Sequence, residues 1–132
     1  MYTMMQVCRE LDMTYQTLKF YCNEGLVPNV KRDKNNRRVF DDKDVKWIKD
    51  LICLKKCDMS IQEMKEYLEL CLEGASSIPK RQEMLTEKKS ALLKSIEELN
   101  ASVAYIDWKQ EFYGDVLSGK REYVSNLIRI EE

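Results

Sequence analysis

Thr14-Tyr-Gln-Thr-Leu-Lys-Phe-Tyr21, then Gly25-Leu-Val-Pro28, then Asn35-Asn-Arg-Arg-Val-Phe40: these three pieces decide the fold. The first reads as a short helix capped by Thr14, with Leu18 and Tyr21 one turn apart on a single face. Gly25 stops it. The polar run Lys31-Arg-Asp-Lys-Asn-Asn-Arg-Arg38 is too charged for a core element and reads as the tip of a hairpin, with Val39-Phe40 returning to the core. A short helix followed by a positively charged loop is an arrangement that can hold the edge and the backbone of duplex DNA.

Upstream, Thr3 with Gln6 forms a capping box that opens a helix ending near Leu11, and Asp12-Met13 makes the turn between the two helices. Val7, Leu11, Leu18 and Tyr21 are expected to close the pair, which matches a helix-turn-helix. Downstream, Asp41 with Asp44 caps a third helix carrying Val45, Ile48, Leu51 and Ile52, which breaks near Asp58. Ser60 with Glu63 starts a fourth, with Ile61, Met64, Leu68 and Leu72 on one face.

From about Pro79 the sequence becomes one long helix of roughly 35 residues, about 50 Å of rod. Leu85, Leu92, Ile96, Leu99, Val103, Ile106 and Tyr113 fall on an a/d seam interrupted by Lys89 and Gln110. Such a stripe needs a partner, and a homodimer is the simplest one. The expected organisation is a head over 1–73, a linker over 74–78, a coiled-coil dimerisation helix over 79–113, and a short tail or helix over 114–132, in which Tyr123, Leu127 and Ile128 have helical spacing.

Composition narrows the function classes. The 132 residues suffice for one small domain plus one long element. The net charge of −1 hides an asymmetry: residues 1–40 hold seven Lys/Arg against four acids, and residues 63–132 hold ten against fourteen. A basic front on an acidic rear suits a nucleic-acid binder that orients itself. No apolar run approaches the ~20 residues needed to span a bilayer, and the start has neither the basic region nor the long apolar stretch of a secretory signal. The chain is expected in the cytoplasm, without membrane partners. The five cysteines (Cys8, Cys22, Cys53, Cys57, Cys71) are then reduced thiols. With no histidine at all, Cys-His and Ser-His-Asp chemistry and imidazole metal ligands are excluded. A thiolate site of Cys53, Cys57 and Cys71 lacks any recognised spacing, and a thiol enzyme lacks a base, a phosphate loop and a pocket-forming sheet, so no enzyme, metal or cofactor is expected.

The motifs Tyr2-Thr-Met4, Val7, Met13-Thr14, Thr17-Leu-Lys-Phe-Tyr21, Gly25-Leu26, Asn35, Arg38 and Phe40-Asp-Asp-Lys-Asp44 resemble the winged helix-turn-helix of MerR-type bacterial transcription regulators. The resemblance covers essentially the whole chain. It implies a mainly α fold with a small β-hairpin wing, and an antiparallel coiled coil joining two copies. Each head would read half of a palindromic element in double-stranded promoter DNA, activating by bending and untwisting the promoter spacer for RNA polymerase. By position, Thr14, Tyr15, Gln16 and Thr17 start the recognition helix, where base edges are reached. Lys19 and Tyr21 match phosphate-contacting positions, Arg38 matches the wing arginine, and Lys31 and Arg37 extend the backbone-contacting set. Lys19 stands where the family often has Arg, and Asn36-Arg37 replaces the wing's usual Gly-Tyr.

Metal sensors of this family place cysteines at and beyond the dimerisation helix, whereas the last cysteine here is Cys71. Multidrug sensors carry a large ligand domain, whereas nineteen residues follow Tyr113. Asp44-Val-Lys-Trp-Ile-Lys-Asp-Leu-Ile-Cys-Leu54 with Met59-Ser-Ile61 resembles the small thiol- and aldehyde-responsive branch (AdhR/NmlR-like). That branch implies a sensing thiol at Cys53, with Cys57 a second candidate one turn on. Cys53 also fits a packing role between Ile52 and Leu54. The competing functions are a coiled-coil adaptor whose head binds protein, and a MerR-type regulator with an unidentified small-molecule inducer.

Overall fold

The computed structural model describes residues 1–130. Its elements run β1 (Tyr2–Thr3), α1 (Met4–Leu11), α2 (Tyr15–Asn23), β2 (Lys31–Arg32), β3 (Arg38–Phe40), α3 (Asp42–Lys56), α4 (Ile61–Leu72), a 3-10 turn (Ala75–Ser77) and α5 (Ile78–Leu117). The chain divides into two compact units, Met1–Lys89 and Ser90–Glu132.

In the first unit, helix starts are written into local side chains. Thr3 with Gln6, Asp41 with Asp44 and Ser60 with Glu63 form reciprocal capping boxes, and the Thr14 side chain accepts the Thr17 amide. Each satisfies amides that a first turn leaves without intrahelical acceptors. Helix ends are local too. Asp12 adopts the left-handed conformation at φ 52° between α1 and α2. Gly25 (φ 75°) and Asp58 (φ 65°) end α2 and α3 alike, with Leu26 N–H returning to Tyr21 O and Met59 N–H to Leu54 O.

The sheet is three-stranded and antiparallel, in the order β1-β3-β2. Tyr2 pairs with Phe40, and Lys31 with Val39. The hairpin was expected; β1 was not, because two residues carry no readable period. Phe40, Val7, Leu18, Leu26, Ile48, Leu51, Met59 and Met64 are fully buried in a single core, and Met84 from the start of α5 packs against it. Leu11, expected in this core, is partly buried at its edge. Trp47 lies between elements, its Nε1–H donating to Leu26 O at 2.7 Å. The α4–α5 connection is tied by Ser77, which is buried, with Oγ between the carbonyls of Leu70 and Gly74 while it accepts from Arg81 Nε.

In the second unit α5 runs through Gly114 to Leu117, so the helix is 40 residues long. It ends at Gly119 (φ 82°), with Gly119 N–H to Val116 O and Lys120 N–H to Asp115 O. The short helix expected from the spacing of Tyr123, Leu127 and Ile128 does not form in the described residues. Ser125 Oγ instead accepts the amides of Leu127 and Ile128, a local alternative that competes with helical hydrogen bonds. Phe112 is the one buried apolar residue beyond Ser90 among those described, and the seam residues Ile96, Leu99, Val103 and Ile106 are all more than half exposed.

Candidate nucleic-acid interface

The helical period sorts α2 into two faces. Leu18 and Tyr21 point into the core, while Tyr15, Gln16, Lys19 and Phe20 are exposed. Thr14 and Thr17 join their hydroxyls at 2.8 Å at the exposed start of the helix, so both also serve its cap. Tyr21 belongs to the core by its ring, which is 4 % exposed, and burial pushes its phenol above the ordinary range. Among the described residues its hydroxyl has no hydrogen-bond partner, and no buried side-chain oxygen goes unpaired. The hydroxyl is therefore the part of Tyr21 that meets solvent.

The wing is built around Asp33. Its Oδ1 accepts the amides of Asn35 and Arg37, both at 2.9 Å, and its own amide donates to Arg37 O. This forces a left-handed residue at the tip, and Asn36 takes it at φ 62°. Asparagine tolerates that region better than most side-chain-bearing residues, so the Asn36-Arg37 replacement of Gly-Tyr leaves a closed hairpin. Arg32 Nη1 donates to Asn36 O at 3.0 Å, and Arg38 Nη2 to Asn23 Oδ1 at 2.7 Å. The last contact fixes the wing to the end of α2. Arg37 is exposed.

Lys31, expected to face DNA, is engaged within the chain. Its Nζ donates to Asp41 Oδ2 (2.9 Å), Asp44 Oδ2 (3.1 Å) and Asn29 O (2.9 Å). Those hydrogen bonds hold its pKa above the ordinary lysine range, and Lys31 in turn holds the Asp41 carboxyl below the carboxylate range. These contacts pin β2 to the capping box of α3, while 40 % of the Lys31 side chain stays exposed.

Between the start of α1 and the wing lies a cleft of about 570 Å³, lined by Thr3, Met4 and Met5, by Arg32, Asp33, Asn36, Arg37, Arg38 and Val39, and by Tyr15 as the one residue of α2. Tyr15, Arg37 and Arg38, singled out from sequence, come together there. Arg32 and the first turn of α1 were missed. Arg32 lay unremarked within the basic run, and the α1 contribution depends on β1, which has no sequence signal. The first-turn amides of α1 add the positive end of a helix to the three guanidinium groups.

Comparison with known proteins settles the family. The model of the MerR HTH family regulatory protein matches residues 2–71. The chain belongs to the MerR family. An uncharacterized HTH-type transcriptional regulator of Haemophilus influenzae is 33 % identical over 112 residues, spanning 85 % of this chain and 83 % of that protein. The HTH-type transcriptional regulator AdhR of Bacillus subtilis is 33 % identical over 88 residues, 67 % of this chain and 63 % of AdhR. Among solved structures, HiNmlR, a MerR family regulator lacking the sensor domain and bound to promoter DNA, superposes with a TM-score of 0.74 at 32 % identity, covering 89 % of this chain and 93 % of that one. This chain is thus a MerR-family DNA-binding transcriptional regulator of the AdhR/NmlR kind, a class of non-enzymatic proteins.

The thiols of this MerR-family chain separate by exposure. Cys53 is exposed on α3, and Cys57 is half-buried at the end of that helix, its amide donating to Cys53 O at 3.1 Å. Burial pushes the Cys8, Cys22 and Cys71 thiols up, which disfavours their reactive thiolates, although Arg38 and Arg81 offset part of this at Cys22 and Cys71. Among the described residues no three His, Cys, Asp or Glu side chains gather as a metal site. No helix among them is long and apolar enough to cross a membrane.

Proposed function

We propose that the protein binds a palindromic element in double-stranded promoter DNA as a homodimer, each copy presenting α2 and the wing cleft beside it. The observation that carries this reading is the cleft itself, where Arg32, Arg37 and Arg38 face Tyr15 and the start of α1. Tyr15, Gln16 and Thr17 would address base edges. Lys19, the Tyr21 hydroxyl, Arg37 and Arg38 would hold phosphates, while Lys31 acts from behind by fixing the wing. Thr14 contributes mainly as the helix cap. The exposed α5 seam supports pairing into an antiparallel coiled coil, and the dimer would activate RNA polymerase indirectly by bending and untwisting the spacer. The chain would work in the cytoplasm.

The same reading gives Cys53 the role of sensing electrophile or redox stress, supported by its exposure against the burial of Cys8 and the partial burial of the others. Cys57 is the second candidate. A small-molecule inducer has one observation in its favour: a cleft of about 220 Å³ lined by Pro28, Trp47, Leu68, Cys71 and Leu72.

Transcription in vitro from the gene's own upstream region tests the proposal, with wild type and Cys53→Ser, with and without an aldehyde or a thiol oxidant. Activation that requires Cys53 is expected. DNA binding without any effect of electrophile or substitution would retain the regulator and discard the sensor. Binding that fails to weaken with salt would instead favour a protein-binding adaptor, because releasing counterions from phosphates makes DNA affinity fall steeply.

A further inference from the structure

The cleft of about 220 Å³ lies wholly within the first unit, and none of the residues assigned to DNA lines it. Helical spacing builds two of its walls. Lys43, Asp44 and Trp47 share one face of α3, and Leu68, Cys71 and Leu72 share one face of α4, each set spanning about one turn. Pro28 and Asn29, in the connection from α2 to β2, close the third side.

These walls are held in place before anything enters. Trp47 Nε1–H donates to Leu26 O at 2.7 Å, which anchors the indole ring. Pro28 has a fixed φ, and Asn29 O accepts from Lys31 Nζ at 2.9 Å. Preorganised walls lower the cost of ordering on binding.

The lining is mainly apolar, and the indole offers a flat partner to another ring. Burial pushes the Cys71 thiol up, so it brings no charge of its own. Asp44 is the one acid in the lining and is already engaged, its Oδ2 accepting from Lys31 Nζ and from the Asp41 amide. Lys43 is different: it is exposed and makes no ion pair among the described residues. An apolar slot with a planar wall and one unmatched cation suits a flat apolar body that carries a single negative charge. The volume falls below the ~300–1,000 Å³ of clefts that take drug-sized ligands, so the occupant has about ten non-hydrogen atoms or fewer.

We infer that this cleft binds a small aromatic carboxylate, its ring against Trp47 and Leu68 and its carboxylate at Lys43. This rests on the small-molecule reading of the cleft given above, for which it names the ligand class. A ligand against Pro28 and Asn29 touches the connection from the stop of α2 to the base of the wing. Occupancy would therefore be felt at both elements proposed to hold DNA.

Benzoate is the probe, with acetate as the charge without the ring and benzyl alcohol as the ring without the charge. Isotope-labelled full-length chain is titrated with each at constant ionic strength and followed by two-dimensional amide NMR. Saturable benzoate shifts at the Trp47 indole N–H, Asn29, Cys71 and Leu72 are expected, half-complete at about 1 mM or below, an affinity within reach of so small a ligand. Acetate should leave these resonances in place. Benzyl alcohol should bind about fivefold more weakly than benzoate, the most an exposed ion pair supplies, and Lys43→Gln should remove that difference. Cys71→Phe, which puts a ring of the chain's own into the cleft, should abolish the shifts; if it disturbs folding, Lys43→Gln at its exposed position still carries the test. Benzoate shifts absent up to about 10 mM, or confined to other residues, overturn the site. Equal affinity for benzoate and benzyl alcohol overturns the carboxylate. Transcription in vitro separates the underlying reading: benzoate binding at these residues without any change in transcription keeps the site and discards its role in induction.

Discussion

The two units of this chain solve the same problem differently. In the head, Val7, Leu18, Leu26, Phe40, Ile48, Leu51, Met59 and Met64 leave no measurable surface to water. Beyond Ser90 the apolar residues are as long and as regularly spaced, yet Leu99 stands 65 % exposed and Ile106 57 %. One unit is satisfied within its own chain. The other carries an exposed apolar stripe, which the proposed second copy would cover. Stability of the first should therefore be indifferent to protein concentration, and that of the second should not.

The largest effect that could break this contrast is a core truncation. Phe40→Ala should cost the head about 3–5 kcal/mol in urea denaturation, and the cost should not change on tenfold dilution. A concentration-dependent loss would mean that the head, too, is completed by a partner. Next comes the seam. Ile96→Asp with Leu99→Asp should leave the urea midpoint of the head in place, convert a dimer to a monomer in the ultracentrifuge, and weaken promoter binding about 100-fold through lost bivalency. Unchanged affinity would remove the stripe from the interface. A smaller effect sharpens the head's side: Ser60→Ala should cost about 1 kcal/mol, since it removes half of a capping box. A thermal unfolding curve that does not move would show that α4 is held by packing alone.

The mildest test is pH. Lys31 and the Asp44 amide lower the Asp41 carboxyl, and the Ser60 amide and Lys88 lower Glu63. For a carboxyl lowered in the folded state, the stabilisation is complete above the ordinary carboxylate range near pH 4 and disappears as pH falls through the lowered value. Lys31 is raised, so its part is complete below the ordinary lysine range and is lost as pH climbs beyond about 10.5. Melting temperature should therefore stay level from roughly pH 5 to 9 and fall on both sides. Lys31→Met should flatten the alkaline limb and part of the acid limb, leaving the Glu63 share. Identical profiles would mean the Lys31 contacts do not hold in solution.

What could be read from the sequence, and what could not, follows the range of the interactions. Caps and stops were legible because Thr3, Asp41 and Ser60 act on amides three residues away, and Asp12 and Gly25 act on their own φ. The exposed side of α2 followed from Leu18 and Tyr21 alone. The Lys31 contacts with Asp41 and Asp44 were not legible because these two acceptors, ten and thirteen residues on, are brought near only by the β2–β3 pairing. The tail misled because helical spacing at Tyr123, Leu127 and Ile128 says nothing of the Ser125 hydroxyl that captures two of the amides a helix would need. At the candidate interface Arg38 was legible as a charge, but its anchor Asn23 was not, since that contact crosses from the wing to the end of α2. The exposure of Cys53 and the burial of Cys8 run against their neighbours in sequence, since Cys53 lies between Ile52 and Leu54 whereas Cys8 is flanked by Val7 and Arg9.

Phe40 ends the last wing strand, Asp41 caps α3, and Asp42 is already helical. No slack separates them, and Lys31 bolts the neighbouring strand to the same cap. Wing and helix thus share a rigid joint, with the guanidinium groups on one arm and Cys53 about 18 Å along the other. On the reading proposed above, a modification of that thiol that displaced α3 would be carried through the joint to the wing, arriving as a tilt of its guanidinium groups against the DNA backbone.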